Sequence, residues 1–189
     1  MSGKPNSRTR TLTAVVTHLR MDAQPQRYPP SPMGMHLALL KCRSMPIHFY
    51  RYLYDRVGRD WHWTAALTLS DTDLKERLDS PRTDIRVLYM DGAPAGFFEL
   101  RRITEQECRL VHFGLMPHAI GCGLGRWFLG AAIQAGWEHQ PRVVSVETCT
   151  LDHPAALPLY QKLGFSPIWR KEETVRELSP EARADVLLH

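Results

Sequence analysis

Three glycines in a short segment carry the clearest chemical signal in the chain. Gly121, Gly123 and Gly125 occupy alternate positions, and the residues from Gly123 to about His139 have the pattern of a long helix. Glycine tolerates a positive φ and leaves its amide open to a ligand. The free N–H groups at the start of a helix attract anions such as a pyrophosphate. The segment therefore favours a phosphate-binding loop.

Three kinds of phosphate-binding loop can be compared with this segment. A Walker loop continues with Lys and then Ser or Thr, whereas Arg126 and Trp127 follow the last glycine here. The Rossmann fingerprint has the spacing G-x-G-x-x-G within a βαβ unit, and here the spacing is G-x-G-x-G after three further strands. The third interpretation is a cradle for the pyrophosphate of coenzyme A, and a plain turn between strand and helix stands beside it.

A second motif follows roughly 30 residues later. Residues 152–165 read DHPAALPLYQKLGF, with Tyr160 on the last turn of a predicted helix and Gly164 as its cap. Together the two motifs resemble the GNAT superfamily of N-acetyltransferases, whose members carry a Q/R-x-x-G-x-G/A loop and later an N-x-x-A-x-x-L-Y-x-K-x-G-F-like helix. The resemblance covers about residues 35–172. It is greatest to bacterial GNAT proteins with a Thr-Cys-Thr-Leu-Asp-His-Pro stretch, here residues 148–154, whose substrates are poorly defined.

Three positions depart from the family pattern. Ile120 occupies the usual Gln or Arg position, and Cys122 stands where a basic residue is common. Both changes remove side-chain donors to phosphate, although the backbone amides remain. His153 replaces the frequent Asn.

The resemblance implies that acetyl-CoA binds between the strand that ends near Leu115 and the strand over residues 142–149. Main-chain groups near Leu115 and Met116 are expected to pair with the pantetheine arm like an added strand. Backbone amides would hold the pyrophosphate, with the guanidinium of Arg126 as a charged partner. The expected cofactor-binding residues are Leu115, Met116, Gly121, Gly123, Leu124, Gly125, Arg126 and His153. No metal is expected.

In this family the acceptor amine attacks the thioester directly, so the site needs a base for the amine and an acid for the departing thiolate. Tyr160 is the expected acid, because its usual pKa of about 10 keeps it protonated at neutral pH. Glu99 is the first candidate for the base, since strand alternation places it opposite Phe98 and in mid-strand near the cleft. Glu147, His112 and a chain of water molecules are the alternatives. The plain interpretations are a packing tyrosine and a solvent-facing glutamate.

Aromatic residues of the first predicted helix and of the connection after it are expected to shape the acceptor pocket. Trp61 and Trp63 lie in that connection, and Tyr54 lies on the helix. Aromatic walls can hold a cation or an apolar amine, although such side chains also close a protein core.

The elements that must position these residues alternate in type. Strands are predicted over residues 35–43, 84–90, 94–102, 107–115, 142–149 and from 165 to 170, and helices over residues 46–57, 70–80, 123–139 and 153–163. This order predicts a mixed α/β (α+β) domain with a mostly antiparallel central sheet flanked by helices. The resemblance identifies it as the GNAT acyl-CoA N-acyltransferase fold.

Charge is distributed unevenly along the chain. The net charge is +4, and residues 1–33 hold five Lys or Arg and one Asp, so the remainder is neutral. A neutral body argues against a nucleic-acid partner, and no apolar run is long enough to span a membrane. The four cysteines are isolated, which favours free thiols in a cytoplasm. Residues 1–33, with five of the 14 prolines, are expected to be a flexible basic leader before a domain over residues 34–189. A short helix or strand over residues 11–19 is the one element considered within this leader.

The sequence thus predicts a cytoplasmic, acetyl-CoA-dependent N-acetyltransferase that acts on a primary amine of a small molecule or peptide. The first alternative is a non-catalytic acyl-CoA-binding or sensing domain, because Ile120 and Cys122 remove phosphate donors. The second is an interaction protein whose leader docks on an acidic partner. Whether the protein forms a homodimer stays open. Trp169 and residues 171–189 are expected either to pack on a second copy or to form a terminal strand and tail.

Overall fold

The computed structural model describes residues 10–188. Its strands are β1 (Thr11–Met21), β2 (Leu37–Cys42), β3 (Thr83–Met90), β4 (Ala93–Thr104), β5 (Glu107–Leu115), β6 (Val143–Cys149) and β7 (Ser166–Arg176). Its helices are α1 (Ile47–Gly58), α2 (Asp71–Asp79), α3 (Gly125–Trp137), α4 (Ala156–Lys162) and α5 (Pro180–Leu188), with short 3-10 turns at Arg59–Trp61 and Pro117–Ala119. The strands form one seven-stranded sheet in the order β2-β3-β4-β5-β6-β1-β7. Within residues 10–188 the β5–β6 pair is parallel and every other pair is antiparallel. The predicted mixed, mostly antiparallel fold class is confirmed.

Local sequence signals account for several element boundaries. The hydroxyl of Ser70 accepts a hydrogen bond of 3.1 Å from the Asp73 amide, which caps α2 as expected. Strands β3 and β4 are joined by Asp91 and Gly92, which both have positive φ, as a tight hairpin turn requires. Gly164, with φ 103°, follows α4 and turns the chain into β7.

The two faces of the sheet carry separate apolar clusters, because successive side chains of a strand point to opposite faces. On β4, Phe98 packs with Phe128 of α3 in one cluster. Phe97 packs with Leu53 of α1 and Leu74 of α2 in the other. Glu99 shares its face with Phe97, so it lies beneath α1 and α2.

The parallel strands part at the middle of the sheet. Their paired register runs from Glu107 opposite Val143 to Leu110 opposite Val146. Strand β5 continues to Leu115 and β6 to Cys149, so both strands have free edges that face an opening between them. This splayed arrangement is the one that the sequence predicts for a ligand cleft.

The expectation of a flexible leader over residues 1–33 is wrong for residues 11–21. These residues form β1, which lies inside the sheet and pairs antiparallel with both β6 and β7. Ala14 and Leu19 are fully buried. The segment is rich in Thr and Val, which favour strands. Its residues Val16–Met21 pair with β6, and most of its length pairs with β7. The prolines and basic charges that suggested flexibility lie mostly outside it, and residues 1–9 lie outside the described part of the chain.

Helices α1 to α5 are all too short or too polar to span a membrane, in the part of the chain that the structure describes. The last of them, α5, packs against α1, where Val186 joins the cluster around Leu53. The C-terminal segment therefore belongs to the same body as the sheet.

Candidate active site

A cavity of about 860 Å³ opens where β5 and β6 part. Its wall is formed by these two strands, the glycine loop, the start of α3, the α4 helix and the segment after α1. All but two of the residues predicted for the site line this cavity. They are Tyr54, Trp61, Trp63, Leu115, Gly121, Gly123, Leu124, Gly125, Arg126, His153 and Tyr160. The exceptions are Met116 and Glu99.

The glycine loop presents open backbone amides to the cavity. Gly121 and Gly123 have φ values of 83° and 78°, and no atom lies within 4 Å of a Cβ placed on either residue. No side chain caps the N-terminus of α3. The first intrahelical hydrogen bond runs from the Phe128 amide to the Leu124 carbonyl, at 2.9 Å. The amides just before Phe128 therefore have no acceptor within the helix. They can donate to an anion.

Arg126 adds a positive charge at this end of the cavity. It lines the wall and forms no ion pair with any of residues 10–188. A guanidinium beside a helix N-terminus is suited to phosphate. The loop and Arg126 together fit a pyrophosphate, although neither Ile120 nor Cys122 offers a strong side-chain donor.

The free edge of β5 fits the expected pairing with an extended ligand at Leu115 but not at Met116. The Met116 amide donates to the Ala95 carbonyl at 2.8 Å, and the Met116 carbonyl accepts from Ala119 at 2.9 Å. Because main-chain groups alternate in direction along a strand, Leu115 and Phe113 face away from β4, toward the opening. Their main-chain groups are therefore open to an extended ligand.

Tyr160 lies in the last turn of α4 and lines the cavity. Its side chain packs on the rings of Phe165 and Phe113, with centroids 5.9 and 6.4 Å away. Burial raises the pKa of Tyr160 well above its ordinary value, and the negative charge of Asp152 raises it further. The hydroxyl therefore stays protonated, which suits a proton donor.

Glu99 is fully buried and does not line the cavity. Tyr50 donates to its Oε2 atom at 2.6 Å, and Arg77 donates to its Oε1 atom at 2.8 Å. Burial alone would raise the pKa of Glu99, but the hydrogen bond from His112, the positive charge of Arg77 and the hydrogen bond from Tyr50 hold that pKa well below its ordinary value. Glu99 is therefore an ionised carboxylate that cannot touch a ligand in the cavity itself.

His112 connects Glu99 to the cavity. It is the cross-strand neighbour of Glu99, its Nδ1 atom lies 3.0 Å from Oε2, and its ring lines the cavity wall. Nδ1 also lies 3.3 Å from the Arg77 guanidinium. In the tautomer that carries its hydrogen on Nδ1, toward the carboxylate, the opposite ring nitrogen, Nε2, is an acceptor. The sequence named His112 as a lesser candidate for the base and did not identify Arg77 or Tyr50 as partners of Glu99. The register of two strands and the placement of α2 brought these residues together, and neither can be seen in local sequence.

The aromatic wall joins two loops across the cavity. The indole N–H of Trp63 lies 3.4 Å from Asp152 Oδ1, and the ring of Trp61 meets that of His153 edge-on at 5.0 Å. Tyr54 lies behind Trp63, is almost fully buried, and has its pKa raised to about 12 by burial. The structure thus brings together the three residues that the sequence predicted for an acceptor pocket, and it adds Asp152.

The C-terminal segment supports this wall from outside. Arg183 of α5 donates to Asp55 at 2.8 Å and to the Trp63 carbonyl at 3.4 Å. His62, which has a positive φ of 57°, lies 2.9 Å from Glu177. These contacts, which the sequence did not predict, hold the segment that carries Trp63.

No group of three or more His, Cys, Asp or Glu side chains within residues 10–188 is arranged to hold a metal ion. Glu147, an alternative candidate for the base, lines the cavity but is held by His18 at 3.2 Å and Arg109 at 3.4 Å.

The glycine loop, the splayed strands and the tyrosine at the end of α4 define an acetyltransferase of the GNAT type. In agreement with this, residues 49–165 match the profile of the acetyltransferase (GNAT) family, and the chain belongs to that family.

One curated protein is similar to this chain in sequence, and two solved structures are similar to it in fold. A Bacillus subtilis (strain 168) protein with the provisional name ribosomal protein bS18-alanine N-acetyltransferase is 28% identical over 97 residues, which cover 51% of this chain and 63% of that protein. The chain therefore spans less than two thirds of that relative.

The two structures share the fold at low sequence identity. A tandem GNAT protein from the clavulanic acid biosynthesis pathway matches with a TM-score of 0.61 and 17% identity, over 89% of this chain and 55% of the other. An aminoglycoside N-acetyltransferase in complex with CoA matches with a TM-score of 0.53 and 19% identity, over 75% of this chain and 95% of the other.

Proposed function

We propose that the protein transfers an acetyl group from acetyl-CoA to a primary amine of a small molecule or a peptide. The observation that supports this most directly is the shared cavity. Open amides at the start of α3, the hydroxyl of Tyr160 and the ring of His112 all line it. Such a transfer needs an anion-binding site, a proton donor and a proton acceptor.

The residues present fit acetyl-CoA. The amides between Gly121 and Trp127 would receive the pyrophosphate, with Arg126 as the charged partner. The free edge of β5 at Phe113 and Leu115 would pair with the pantetheine arm. Bound in this way, acetyl-CoA supplies the thioester that the amine attacks.

The chemistry requires two proton movements that side chains of this cavity can perform. The amine passes a proton to Nε2 of His112, and its nitrogen forms a bond to the carbonyl carbon. The carbon–sulfur bond then breaks, and Tyr160 donates its hydroxyl proton to the departing thiolate. The products are an amide and free CoA.

Glu99 has a positioning role in this mechanism. As an ionised carboxylate it accepts the Nδ1 hydrogen of His112, orients the ring and stabilises the positive charge that the ring gains. Tyr50 and Arg77 hold the carboxylate in turn, at 2.6 and 2.8 Å. Glu99, which the sequence suggested as the base, thus acts through His112 and does not itself take the proton of the amine.

A peptide amine as acceptor draws support from the curated relative, whose name describes transfer to an alanine of a ribosomal protein. A small amine draws support from the aromatic side chains of Trp61, Trp63 and Tyr54 in the cavity wall, which can contact a compact cation or apolar group. We place the activity in the cytoplasm, in keeping with four free cysteines among the described residues.

The experiment is a titration of the purified protein with acetyl-CoA, followed by a thiol-release assay over a panel of amines and short peptides. The His112→Ala variant should bind acetyl-CoA like the wild type and lose about 10²- to 10⁴-fold in turnover. His48→Ala, at an exposed position on α1, is the matched control and should retain full activity. Binding without turnover on any acceptor would favour the acyl-CoA-sensing alternative, and absence of binding would exclude both functions.

A further inference from the structure

Asp152 differs from the other carboxylates on the cavity wall in its partners. Glu147 is held by His18 and Arg109, and Glu173 is ion-paired with Lys171. Within residues 10–188, Asp152 accepts hydrogen bonds from uncharged donors and forms no ion pair. No cationic side chain among the described residues is paired with its carboxylate.

The two carboxylate oxygens of Asp152 have different hydrogen-bond partners. Oδ2 accepts from the Thr148 hydroxyl at 2.7 Å and from the Cys149 amide at 2.9 Å, which fixes the turn after β6. Oδ1 has one long contact of 3.4 Å, from the indole N–H of Trp63. A carboxylate oxygen can accept two hydrogen bonds, so Oδ1 has capacity for a strong donor.

The surroundings of Oδ1 are suited to a cation. Trp63 and Trp61 both line the cavity beside it, and aromatic faces attract ammonium groups. The ring of Trp63 lies 5.1 Å from that of His112, so the site adjoins the proton acceptor. Asp152 also contributes to the raised pKa of Tyr160, which shows that its charge acts at the proton donor.

We infer that Oδ1 of Asp152 anchors the protonated amine of the acceptor, with the indoles of Trp61 and Trp63 as its other contacts. The inference rests on the proposed function and names its substrate class: an aliphatic primary amine that is cationic in solution. The ammonium docks on Asp152 and loses one proton to water. The neutral amine then attacks the thioester and passes its second proton to His112, while Tyr160 protonates the departing thiolate. Anionic and uncharged acceptors lack the first interaction.

The test compares the binding of n-butylammonium with that of 1-butanol, its uncharged analogue, by ligand-observed NMR titration of the full protein in the presence of CoA. The Asp152→Asn variant removes the charge and keeps an oxygen that can accept from Thr148 and Cys149. The matched control is Glu172→Gln, which removes an exposed carboxylate of β7 outside the cavity wall.

The wild type and Glu172→Gln should bind n-butylammonium at least about tenfold more tightly than 1-butanol, and Asp152→Asn should lose this preference. Equal preference in Asp152→Asn and wild type, or no preference in the wild type, would overturn the inference. If Asp152→Asn fails to fold, Trp61→Leu serves instead, and it should weaken n-butylammonium binding while 1-butanol binding is unchanged. A wild type that does not bind acetyl-CoA would contradict the proposed function. The alkylammonium preference is measured without any acetyl transfer, so its failure is distinguishable from that result.

Discussion

His112 and Glu99 face each other across the β4–β5 ladder, with Nδ1 of the histidine 3.0 Å from Oε2 of the glutamate. This pair joins a ring on the cavity wall to a carboxylate that is wholly buried. The carboxylate is held by Tyr50 from α1 and Arg77 from α2. Two helices and two strands therefore determine where the proposed proton acceptor stands.

The first prediction concerns the stability of this buried network in acid. Replacing Glu99 by Gln leaves Arg77 without a charge partner and should cost about 3 kcal/mol of unfolding free energy at pH 7. Because the pKa of Glu99 is lowered in the folded state, its stabilisation is present above its ordinary pKa of 4.5 and is lost as the pH falls below that value. The difference between wild type and Glu99→Gln should therefore shrink from about pH 4.5 downward in denaturant titrations.

The control for this experiment is Glu76→Gln, on the exposed side of α2. Its unfolding free energy should follow that of the wild type at every pH. A wild type and Glu99→Gln that keep a constant difference down to pH 3 would show that Glu99 does not titrate with a lowered pKa.

The second prediction concerns Tyr160. Its hydroxyl donates no hydrogen bond to any protein group among residues 10–188, so Tyr160→Phe should change the unfolding free energy by less than about 1 kcal/mol. The chemical step should slow by about 10²-fold or more, because the departing thiolate loses its proton donor. Single-turnover thiol release measures this step, and Tyr52→Phe, at an exposed position of α1, is the control. An unchanged rate would remove Tyr160 from the chemistry.

The third prediction separates backbone strain from ligand binding in the glycine loop. Gly123 and Gly34 both have positive φ, 78° and 75°, and both face open space at their Cβ positions. Alanine at either residue should cost about 1–2 kcal/mol of stability. Gly123→Ala should also weaken acetyl-CoA binding by about tenfold, since the loop can relax only by moving its amides. Calorimetric titration of the two variants checks this, and equal affinities would mean that the loop does not hold the phosphates.

The fourth prediction concerns β1. Leu19 is fully buried between the sheet and α3, so Leu19→Ala should lower the unfolding free energy by about 2–5 kcal/mol. Leu40→Ala on β2, where the side chain is 55% exposed, should change it by less than about 0.5 kcal/mol. Removal of residues 10–21 should prevent folding, because it separates β6 from β7. A truncated chain that unfolds with wild-type stability in denaturant would contradict the position of β1.

The sequence by itself determined the elements whose signals are local. Two of these elements are contiguous stretches of sequence. One is the glycine loop with the helix after it, and the other is the helical turn that carries Tyr160 and is followed by Gly164. Helical caps, positive-φ glycines and the candidate proton donor follow from residues a few positions apart. These stretches carried the resemblance to the family and most of the predicted cavity wall, and the order of strands and helices along the chain predicted the mixed fold.

Only the tertiary structure decided which distant residues meet. The place of β1 depends on pairing Val16 with Cys149 and Lys171, more than 130 residues away in each case. Its own composition is that of any strand, so neither its position nor its partners can be derived from residues 11–21 alone.

The same reason explains the acid–base residues. Strand alternation placed Glu99 on the correct face, but its burial depends on α1 and α2, which lie over that face and bring Tyr50 and Arg77 to the carboxylate. The contact between Trp63 and Asp152 likewise joins residues 89 positions apart. Side-chain types and short spacings can be read directly from the sequence. Strand register and helix placement arise only when the whole chain packs. They bury the carboxylate of Glu99 and place that of Asp152 on the cavity wall.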